Sequence, residues 1–317
     1  MKPILKLSLL LLLGASLLTS CFKEDPPVIV DVPDQLFLDA LIELELDTDG
    51  DGKISTAEAE LVTYLNVGER DITDLTGLEK FVNLERLICY DNEINELDLT
   101  KNTALEALMC DRNNLTSLYL GYQIRLTELS CSYNDLSTLD LTGNPALEVL
   151  SCSNNEITSL ILSNCFSLET LHCENNELSG LDLSNNTRLV ELGCGGNQLT
   201  SLDLLSNPLL DELNCITNQI TILDLSANPL LETLNCFGNQ LTTLDLSANP
   251  LLEEVRCHAN YLFNLNISSN TALEYINIRS MPSLVSVCVW ILPFPPEEVE
   301  VDMHGSPNIY FTTECSK

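Results

Sequence analysis

Residues 230–250 read LLETLNCFGNQLTTLDLSANP, and most of the chain consists of close variants of this segment. A cysteine recurs every 21 residues, and an asparagine stands three residues after it. Leucine or a substitute recurs five and two residues before each cysteine, and five, eight and ten residues after it. The nine cysteines are Cys89, Cys110, Cys131, Cys152, Cys173, Cys194, Cys215, Cys236 and Cys257. A fixed period of this kind predicts a solenoid.

The residues within one unit predict how each coil closes. Apolar residues alternate with polar ones in L-x-C and in L-D-L, which is typical of short extended segments with one buried face. Because both halves of the unit carry this pattern, we expect strands on two faces of every coil. We expect each asparagine amide to satisfy backbone groups between coils. Prolines that cannot donate to a ladder mark the other corner: Pro145, Pro208, Pro229 and Pro250.

The unit resembles the 21-residue, cysteine-type leucine-rich repeat of internalin J-like bacterial surface proteins. This resemblance implies a leucine-rich-repeat solenoid of stacked parallel β coils over residues 67–283, with nine regular units and degenerate ends. The chain is also similar to bacterial repeat proteins that carry a small α-helical, EF-hand-like N-terminal cap. We assign this cap to residues 33–66. Residues 284–317 form an irregular or β C-terminal cap. The motif is specific for the fold and implies little about the ligand.

The N-terminus predicts export and anchoring. Lys2 and Lys6 precede a short apolar run that has the proportions of a signal peptide, assigned to residues 1–20. The sequence LTSC ending at Cys21 resembles a bacterial lipobox, which makes residues 21–32 a lipidated tether. Residues 23–25, Lys-Glu-Asp, resemble the acidic tag of outward-facing Bacteroidetes lipoproteins. We therefore expect an outer-membrane lipoprotein that faces outward; the alternative is an ordinary cleaved signal peptide.

The overall charge of the chain argues against polyanionic partners. The chain has 47 acidic and 14 basic side chains and a formal net charge of -33, so its surface repels nucleic acid and anionic lipid. At 45% hydrophobic residues it can still bury a core.

Residues 47–58, DTDGDGKISTAE, match the EF-hand calcium loop. Oxygen ligands stand at the expected spacing: Asp47, Asp49, Asp51, the Lys53 carbonyl, Ser55 and the bidentate Glu58. The preceding stretch predicts a helix with one apolar face, formed by Leu36, Phe37, Ala40, Leu41 and Leu44. Ser55 and Glu58 predict a capping box for a helix in residues 56–65. We expect structural calcium that holds the cap on the first coil, and not a switch; the alternative is an acidic turn with accidental spacing.

We make different predictions for the cysteines that recur every 21 residues and for the cysteines outside that column. Neighbouring coils at strand spacing leave ladder cysteines too far apart for disulfides, so we expect buried thiols. A soft-metal array is the remote alternative. Cys165 replaces the second asparagine of its unit and is expected to be a partly exposed thiol. Cys288 and Cys315 flank the C-terminal cap, and we predict a disulfide between them.

Outward positions are the ones free to encode a ligand. One column is mostly acidic, and we interpret it first as a solvated face and second as a polyanionic strip: Glu85, Glu106, Thr127, Glu148, Glu169, Val190, Asp211, Glu232, Glu253 and Glu274. A second acidic column, from Asp98 to Asp245 in L-D-L, is expected to bond locally. Two candidate ligand patches contain exposed aromatic residues. The C-terminal patch comprises Phe237, Arg256, His258, Tyr275 and Arg279, and the N-terminal patch comprises Tyr90, Met109, Arg112 and Tyr133.

The sequence contains no catalytic constellation. His172 and His258 lie about four coils apart, near 19 Å at strand spacing, and no phosphate-binding glycine loop is present. We therefore expect a non-enzymatic surface protein that binds a protein or glycan through the repeat face, for adhesion or capture. The alternative function is a structural spacer or assembly subunit of an outer-membrane complex.

Overall fold

The structure is a computed structural model that describes residues 27–315. The predicted signal peptide, Cys21 and the acidic tag at residues 23–25 lie outside the described residues, and the tether is described only from residue 27. Within residues 27–315, no helix has the length and apolar character needed to cross a membrane.

The secondary structure consists of short helices at the start followed by a long series of three-residue strands. The helices are α1 (Gln35–Glu43), α2 (Thr56–Ala59) and a 3-10 turn (Leu78–Lys80). The strands in chain order are β1 (Tyr64–Asn66), β2 (Arg86–Ile88), β3 (Glu96–Asp98), β4 (Ala107–Met109), β5 (Ser117–Tyr119), β6 (Glu128–Ser130), β7 (Thr138–Asp140), β8 (Val149–Ser151), β9 (Ser159–Ile161), β10 (Thr170–His172), β11 (Glu191–Gly193), β12 (Glu212–Asn214), β13 (Thr233–Asn235), β14 (Glu254–Arg256), β15 (Asn264–Asn266), β16 (Tyr275–Asn277), β17 (Ser286–Cys288), β18 (Glu300–Asp302) and β19 (Tyr310–Thr312).

One parallel sheet runs the length of the molecule. Its twelve strands follow the order β1-β2-β4-β6-β8-β10-β11-β12-β13-β14-β16-β18, so each coil contributes one strand. Within the regular repeats the register equals the sequence period: Leu192 pairs with Leu213, and Leu213 with Leu234. The predicted solenoid of stacked parallel coils is confirmed. We call this surface the main sheet.

The expectation of strands on two faces of every coil is wrong for the central coils. On the Leu-Asp-Leu side, paired strands form only as β3-β5, β7-β9 and β15-β17-β19. Between these groups the described residues show single bridges, Leu202 with Leu223 and Asp245 with Asn266. The backbone bonds between central coils are made earlier in the unit, as where Gln219 N donates to Leu199 O at 2.8 Å. The Leu-Asp-Leu segments of these coils are therefore extended but largely unpaired.

The core is a continuous stack of leucine and cysteine side chains. The ladder cysteines are free and fully buried, and burial raises the pKa of Cys89 and of Cys215 to about 12. Cys165 is also fully buried, which corrects the prediction of a partly exposed thiol. It occupies the inward corner that Asn144 and Asn186 fill in the adjacent coils, so the coil closes over its sulfur.

The asparagines connect each coil to the one before it, as predicted. Asn218 is representative: its Nδ2 donates to the carbonyl oxygens of Cys194 and Cys215 at 3.0 and 3.2 Å. Its Oδ1 accepts from Leu199 N at 3.0 Å. This amide satisfies three buried backbone groups that the coil geometry leaves without strand partners.

The helical N-terminal region is smaller than the sequence predicts. Helix α2 ends at Ala59, because the next residues turn and Tyr64–Asn66 join the edge of the main sheet as β1. Helix α1 buries Phe37, Ala40 and Leu41. Leu36 and Leu44, which we assigned to the same apolar face, are exposed because the buried stripe of this nine-residue helix is narrower.

The C-terminal segment closes the far end of the stack. Strands β18 and β19 extend the main sheet and the three-stranded sheet, respectively. Cys288 on β17 is bonded to Cys315, with their Cα atoms 5.5 Å apart. Trp290 and Phe294 meet edge to face, with their ring centroids 5.3 Å apart, and both pack against the core.

Candidate functional site

The acidic loop at residues 47–58 brings three of its four carboxylates together. Asp47, Asp49 and Glu58 each contribute an oxygen within 4.8 Å of the others. The carboxylate of Asp51 instead accepts a hydrogen bond from Lys53 N at 2.9 Å. Asp47 also shapes the turn, since it accepts from Gly50 N and Gly52 N, both at 2.8 Å. These oxygen groups suit a hard divalent cation.

Glu58 is held in place by donors on both sides of its carboxylate. Thr48 N and Thr48 Oγ1 donate to its Oε1 at 2.7 Å, and Ser55 N and Oγ donate to its Oε2 at 2.8 and 2.9 Å. Burial opposes ionisation of Glu58, but the hydrogen bonds from Ser55 and Thr48 lower its pKa to about 2. The predicted capping box of α2 is therefore present, and the Ser55 hydroxyl is engaged in it.

The segment that precedes α1 lies against this loop. Val30 N donates to Ile54 O at 2.8 Å, and Thr56 N donates to Val28 O at 2.7 Å. Ile29 and Ser55 thus form an antiparallel bridge. A cation bound in this loop would therefore lie close to residues 28–30, where the tether joins the folded region.

Two contacts fasten α1 to the first coil. Asp34 caps the helix by accepting from Phe37 N, and its second oxygen accepts from Thr73 N, Thr73 Oγ1 and Asp74 N at 2.9 to 3.1 Å. At the other end of the helix, Arg70 Nη1 lies 2.6 Å from Glu43 Oε2. The N-terminal region therefore covers the apolar end of the stack.

Residues of the C-terminal patch form contacting pairs on the face of the main sheet. The rings of Phe237 and His258 stack with centroids 4.4 Å apart and planes inclined by 15°. The Arg256 guanidinium lies over the Tyr275 ring at 5.3 Å and pairs with Glu254. Arg279 lies 3.9 Å from Asp302. Such aromatic and arginine residues account for most hot spots at protein interfaces.

His258 differs from its prediction as an exposed member of the patch. It is 7% exposed, because Phe237 from the preceding coil covers its ring. Burial lowers the pKa of His258, and the positive charges of Arg279 and Arg256 act in the same direction while Asp302 opposes them. The imidazole is therefore neutral at pH 7, and its ring packs against the inner face of the Phe237 ring.

In the N-terminal patch, one pair of residues is in contact. Arg112 and Tyr133 are partners, with the guanidinium 4.9 Å above the ring, and both lie at the left-handed corner beside the sheet. Tyr90 is half-buried and belongs to the first coils. The charge of Glu69 and a hydrogen bond to it raise the pKa of Tyr90. Arg112 and Tyr133 are thus the members of this patch that the structure shows in contact, and the patch as a whole stays a prediction.

The two acidic columns behave differently. The column before each main-sheet strand is partly neutralised, since Arg125 pairs with Glu106 and Arg188 pairs with Glu169. The Leu-Asp-Leu column bonds locally, as predicted: Asp224 Oδ1 accepts from Ser226 N, and Asp245 Oδ1 from Ser247 N, both at 2.9 Å.

One charged cluster on the main sheet was not singled out from the sequence. His172 Nδ1 lies 3.6 Å from Glu174, and its Nε2 lies 3.3 Å from Glu191 of the next coil. The hydrogen bond with Glu174 is the main cause that raises the pKa of His172. Reading the sequence across coils, at spacings of two and nineteen residues, would have revealed the cluster.

Known structures resemble this arrangement. The functional domain of InlJ from Listeria monocytogenes, described as including a cysteine ladder, is 36% identical over 81% of this chain, with a TM-score of 0.76. The chain is a leucine-rich-repeat solenoid with a cysteine ladder. It covers 56% of the length of that InlJ chain. The sequence matches no protein-family profile and no curated protein.

More distant leucine-rich-repeat proteins share the fold alone. YopM from Yersinia pestis, described as an effector protein, is 21% identical, with a TM-score of 0.59 over 84% of this chain and 98% of YopM. The Drosophila Toll–Spätzle complex contains a chain that is 20% identical, with a TM-score of 0.57, covering 77% of this chain and 41% of that one. These likenesses show the repeat fold, which does not by itself determine a ligand.

Proposed function

We propose that this leucine-rich-repeat protein is a non-enzymatic binding module that takes a protein ligand on the C-terminal half of its main sheet. The observation that carries the proposal is the C-terminal patch, where Phe237 stacks on His258 and Arg256 lies over Tyr275, each pair joining adjacent coils. A stacked, partly covered aromatic group loses little conformational freedom when a partner binds. The biological role that follows is adhesion or capture at the cell surface.

The middle of the main sheet supports an extended ligand. Between Tyr133 and Phe237 lie five coil steps, or about 24 Å at strand spacing. Two coils in this interval have small outward side chains, Ser151 with Ser153 and Gly193 with Gly195, and the His172–Glu174 coil lies between them. A ligand anchored at Phe237 can therefore approach the backbone closely at these two coils.

The test is a binding screen with a matched pair of variants. The full-length chain, in non-ionic detergent, is presented to an array of extracellular matrix proteins and glycans. Phe237→Ala is expected to weaken a specific protein hit by more than tenfold, since hot-spot truncations cost about 2 kcal/mol or more. Tyr122→Ala, which removes a highly exposed ring away from the main sheet, is the control.

Each other outcome of this screen has a defined meaning. A hit confined to glycans, and lost in Phe237→Ala, replaces the protein ligand with a carbohydrate. No hit for the wild-type chain, or hits that Phe237→Ala leaves unchanged, contradicts the proposal and favours the structural spacer of an outer-membrane complex.

We also propose the anchor and the cation that complete this picture. Lipid on Cys21 would hold the protein at the outer membrane, facing outward, with residues 21–32 as the tether. Calcium would be held by Asp47, Asp49 and Glu58, with Asp51, Lys53 and Ser55 as the remaining candidates of the EF-hand pattern. Such an ion supplies positive charge that offsets the repulsion among these carboxylates. Its role would be structural, because the loop contacts the tether and carries the capping box of α2.

A further inference from the structure

A groove of about 720 Å³ lies on the Leu-Asp-Leu side of the last coils. None of its lining residues belongs to the main sheet, so it is separate from the C-terminal patch. Its far wall is formed by the C-terminal cap, including the bonded Cys288 and Cys315. The disulfide and the three-stranded sheet β15-β17-β19 hold this wall rigidly beside the repeat coils.

Three large apolar side chains face solvent in this groove. Ile222, Phe263 and Tyr310 are 72%, 59% and 57% exposed, respectively. They interrupt columns that are polar elsewhere: the coils from residue 95 to residue 242 place asparagine, serine or threonine at the position of Phe263. Because these side chains contribute little to the core, their exposure is explained by contact with a partner.

Among the residues that the structure describes, 27–315, the charged groups of the groove have one sign. Asp224, Asp245 and Glu314 line it, and none of the other described lining residues is a lysine, arginine or histidine. Hydrogen bonds from the side chain and backbone of Ser226 lower the pKa of Asp224, and those of Ser247 lower the pKa of Asp245. Both carboxylates therefore stay ionised and fixed in position, next to the exposed apolar side chains.

We propose that this groove binds an extended peptide segment in which basic residues alternate with aromatic or aliphatic ones. Apolar side chains of the peptide would cover Ile222, Phe263 and Tyr310, while its basic side chains would meet Asp224, Asp245 and Glu314. The interaction does not depend on the proposed function of the main sheet, since the two surfaces share no residues.

The repeat itself supplies substitutions that preserve the fold. Threonine occupies the position of Phe263 in the two preceding coils, at Thr242 and Thr221, so Phe263→Thr restores the repeat consensus. Ile222→Thr reproduces Thr243 in the same way. Asp245→Asn copies the next coil, where Asn266 Oδ1 accepts from Ser268 N at 3.0 Å in place of the aspartate.

The experiment uses the full-length chain in non-ionic detergent and fluorescently labelled hexapeptides. The probes are Lys-Phe-Lys-Phe-Lys-Phe, its glutamate counterpart and its glycine counterpart Lys-Gly-Lys-Gly-Lys-Gly, measured by fluorescence anisotropy. We expect the first probe to bind most tightly and to lose about tenfold in affinity with Phe263→Thr or Ile222→Thr. Asp245→Asn should weaken binding several-fold and reduce its salt dependence. Tyr122→Thr and Phe237→Ala, outside the groove, should leave it unchanged.

Several results would overturn the proposal. Equal affinity for the two lysine probes, or full affinity in both Phe263→Thr and Ile222→Thr, would reveal only the general attraction of an acidic surface. Tight binding of the glutamate probe, or no binding of any peptide at millimolar concentration, would also refute it. Binding of maltohexaose that Phe263→Thr abolishes, without peptide binding, would make the groove a carbohydrate site instead.

Discussion

At the scale of single residues, Asp34 has two separable tasks. One oxygen caps α1 through Phe37 N, and the other accepts three hydrogen bonds from Thr73 and Asp74. Burial opposes ionisation, yet these hydrogen bonds hold the pKa of Asp34 below its ordinary value of 3.8. Because the pKa is lowered in the folded state, the stabilisation is complete above pH 3.8 and is lost as the pH falls further.

Asp34→Asn separates the two tasks. The amide oxygen can still cap α1, but the amide nitrogen cannot accept from Thr73 and Asp74, so we expect a loss of about 1–2 kcal/mol at pH 7. The difference between variant and wild type should be smaller at pH 3 than at pH 7, because pH 3 lies below the ordinary carboxyl pKa of 3.8 and the stabilisation from the lowered pKa of Asp34 decreases there. Urea unfolding at both pH values measures it. A difference that is the same at both pH values would contradict this role of the charge.

Thr217 carries backbone strain that its neighbours avoid. Its φ is 51°, whereas glycine occupies the same corner in the adjacent coils, with φ of 65° at Gly196 and 69° at Gly238. A β-branched residue is strongly disfavoured there. We expect Thr217→Gly to raise the free energy of unfolding by about 1 kcal/mol and Gly238→Ala to lower it by a similar amount. Denaturant midpoints would show this; a less stable Thr217→Gly would mean that its side chain contributes more than the strain costs.

At the scale of the structural element, the corner asparagine ladder is broken where Cys165 replaces asparagine, next to Asn144, whose buried amide also lacks a hydrogen-bond partner. Asn186 Nδ2 donates to Leu162 O and Cys165 O at 3.2 and 2.8 Å, which is the regular pattern. Cys165 has only a weak contact of its sulfur with Leu141 O at 3.6 Å. Since Cys165 is fully buried in the same corner, the coil that contains it has fewer connections to the one before.

Cys165→Asn should restore the ladder. An amide at this position can donate to the preceding coil as Asn186 does, so we expect stabilisation of about 1 kcal/mol. The reverse change in a regular coil, Asn186→Cys, should destabilise by at least as much, because it leaves carbonyls unsatisfied. Thermal unfolding of the two variants provides the measurement. If Cys165→Asn lowers the melting temperature, the corner in this coil is too tight for the amide.

The strands of the main sheet and the N-terminal helices differ in how well the sequence predicts them. The strand positions of the main sheet follow from the period alone, because each coil repeats the contacts of the one before. Helix α2 was overestimated because the sheet edge takes up Tyr64–Asn66, and no local pattern reveals that competition. The burial of His258 depends on Phe237 in the preceding coil, so a reading of outward columns one at a time does not detect it.

At the scale of the whole molecule, the solenoid has two ends that need different protection. The C-terminal end is closed by strands β18 and β19 and by the Cys288–Cys315 bond. The N-terminal end is covered by α1, through contacts such as Asp34 with Thr73 that span 39 residues. These contacts come from unrepeated sequence, which explains why local features of the caps, such as the Ser55–Glu58 capping box, could be predicted while their contacts with the coils could not.

Because a repeat array unfolds from its weakest end, the acidic loop should influence the stability of the whole chain. With a calcium affinity of about 10⁻⁴ M, 1 mM calcium would stabilise the folded state by about 1.4 kcal/mol. For a domain of this size that corresponds to a rise of roughly 2–4 °C in melting temperature. Differential scanning calorimetry of the full-length chain in calcium and in chelator measures the shift.

Asp49→Asn distinguishes a cation effect from a folding defect. Its amide oxygen can keep the hydrogen bond that Asp49 Oδ1 accepts from Asp51 N at 3.1 Å, while one carboxylate of the cluster is lost. We therefore expect an unchanged or slightly higher melting temperature in chelator and no further rise with calcium. Asp203→Asn, in the Leu-Asp-Leu column, should retain the full calcium shift. If the wild-type melting temperature is equal in calcium and in chelator, the loop is an acidic turn and not a calcium site. The contacts of α1 then stabilise the N-terminal end of the stack without help from a cation.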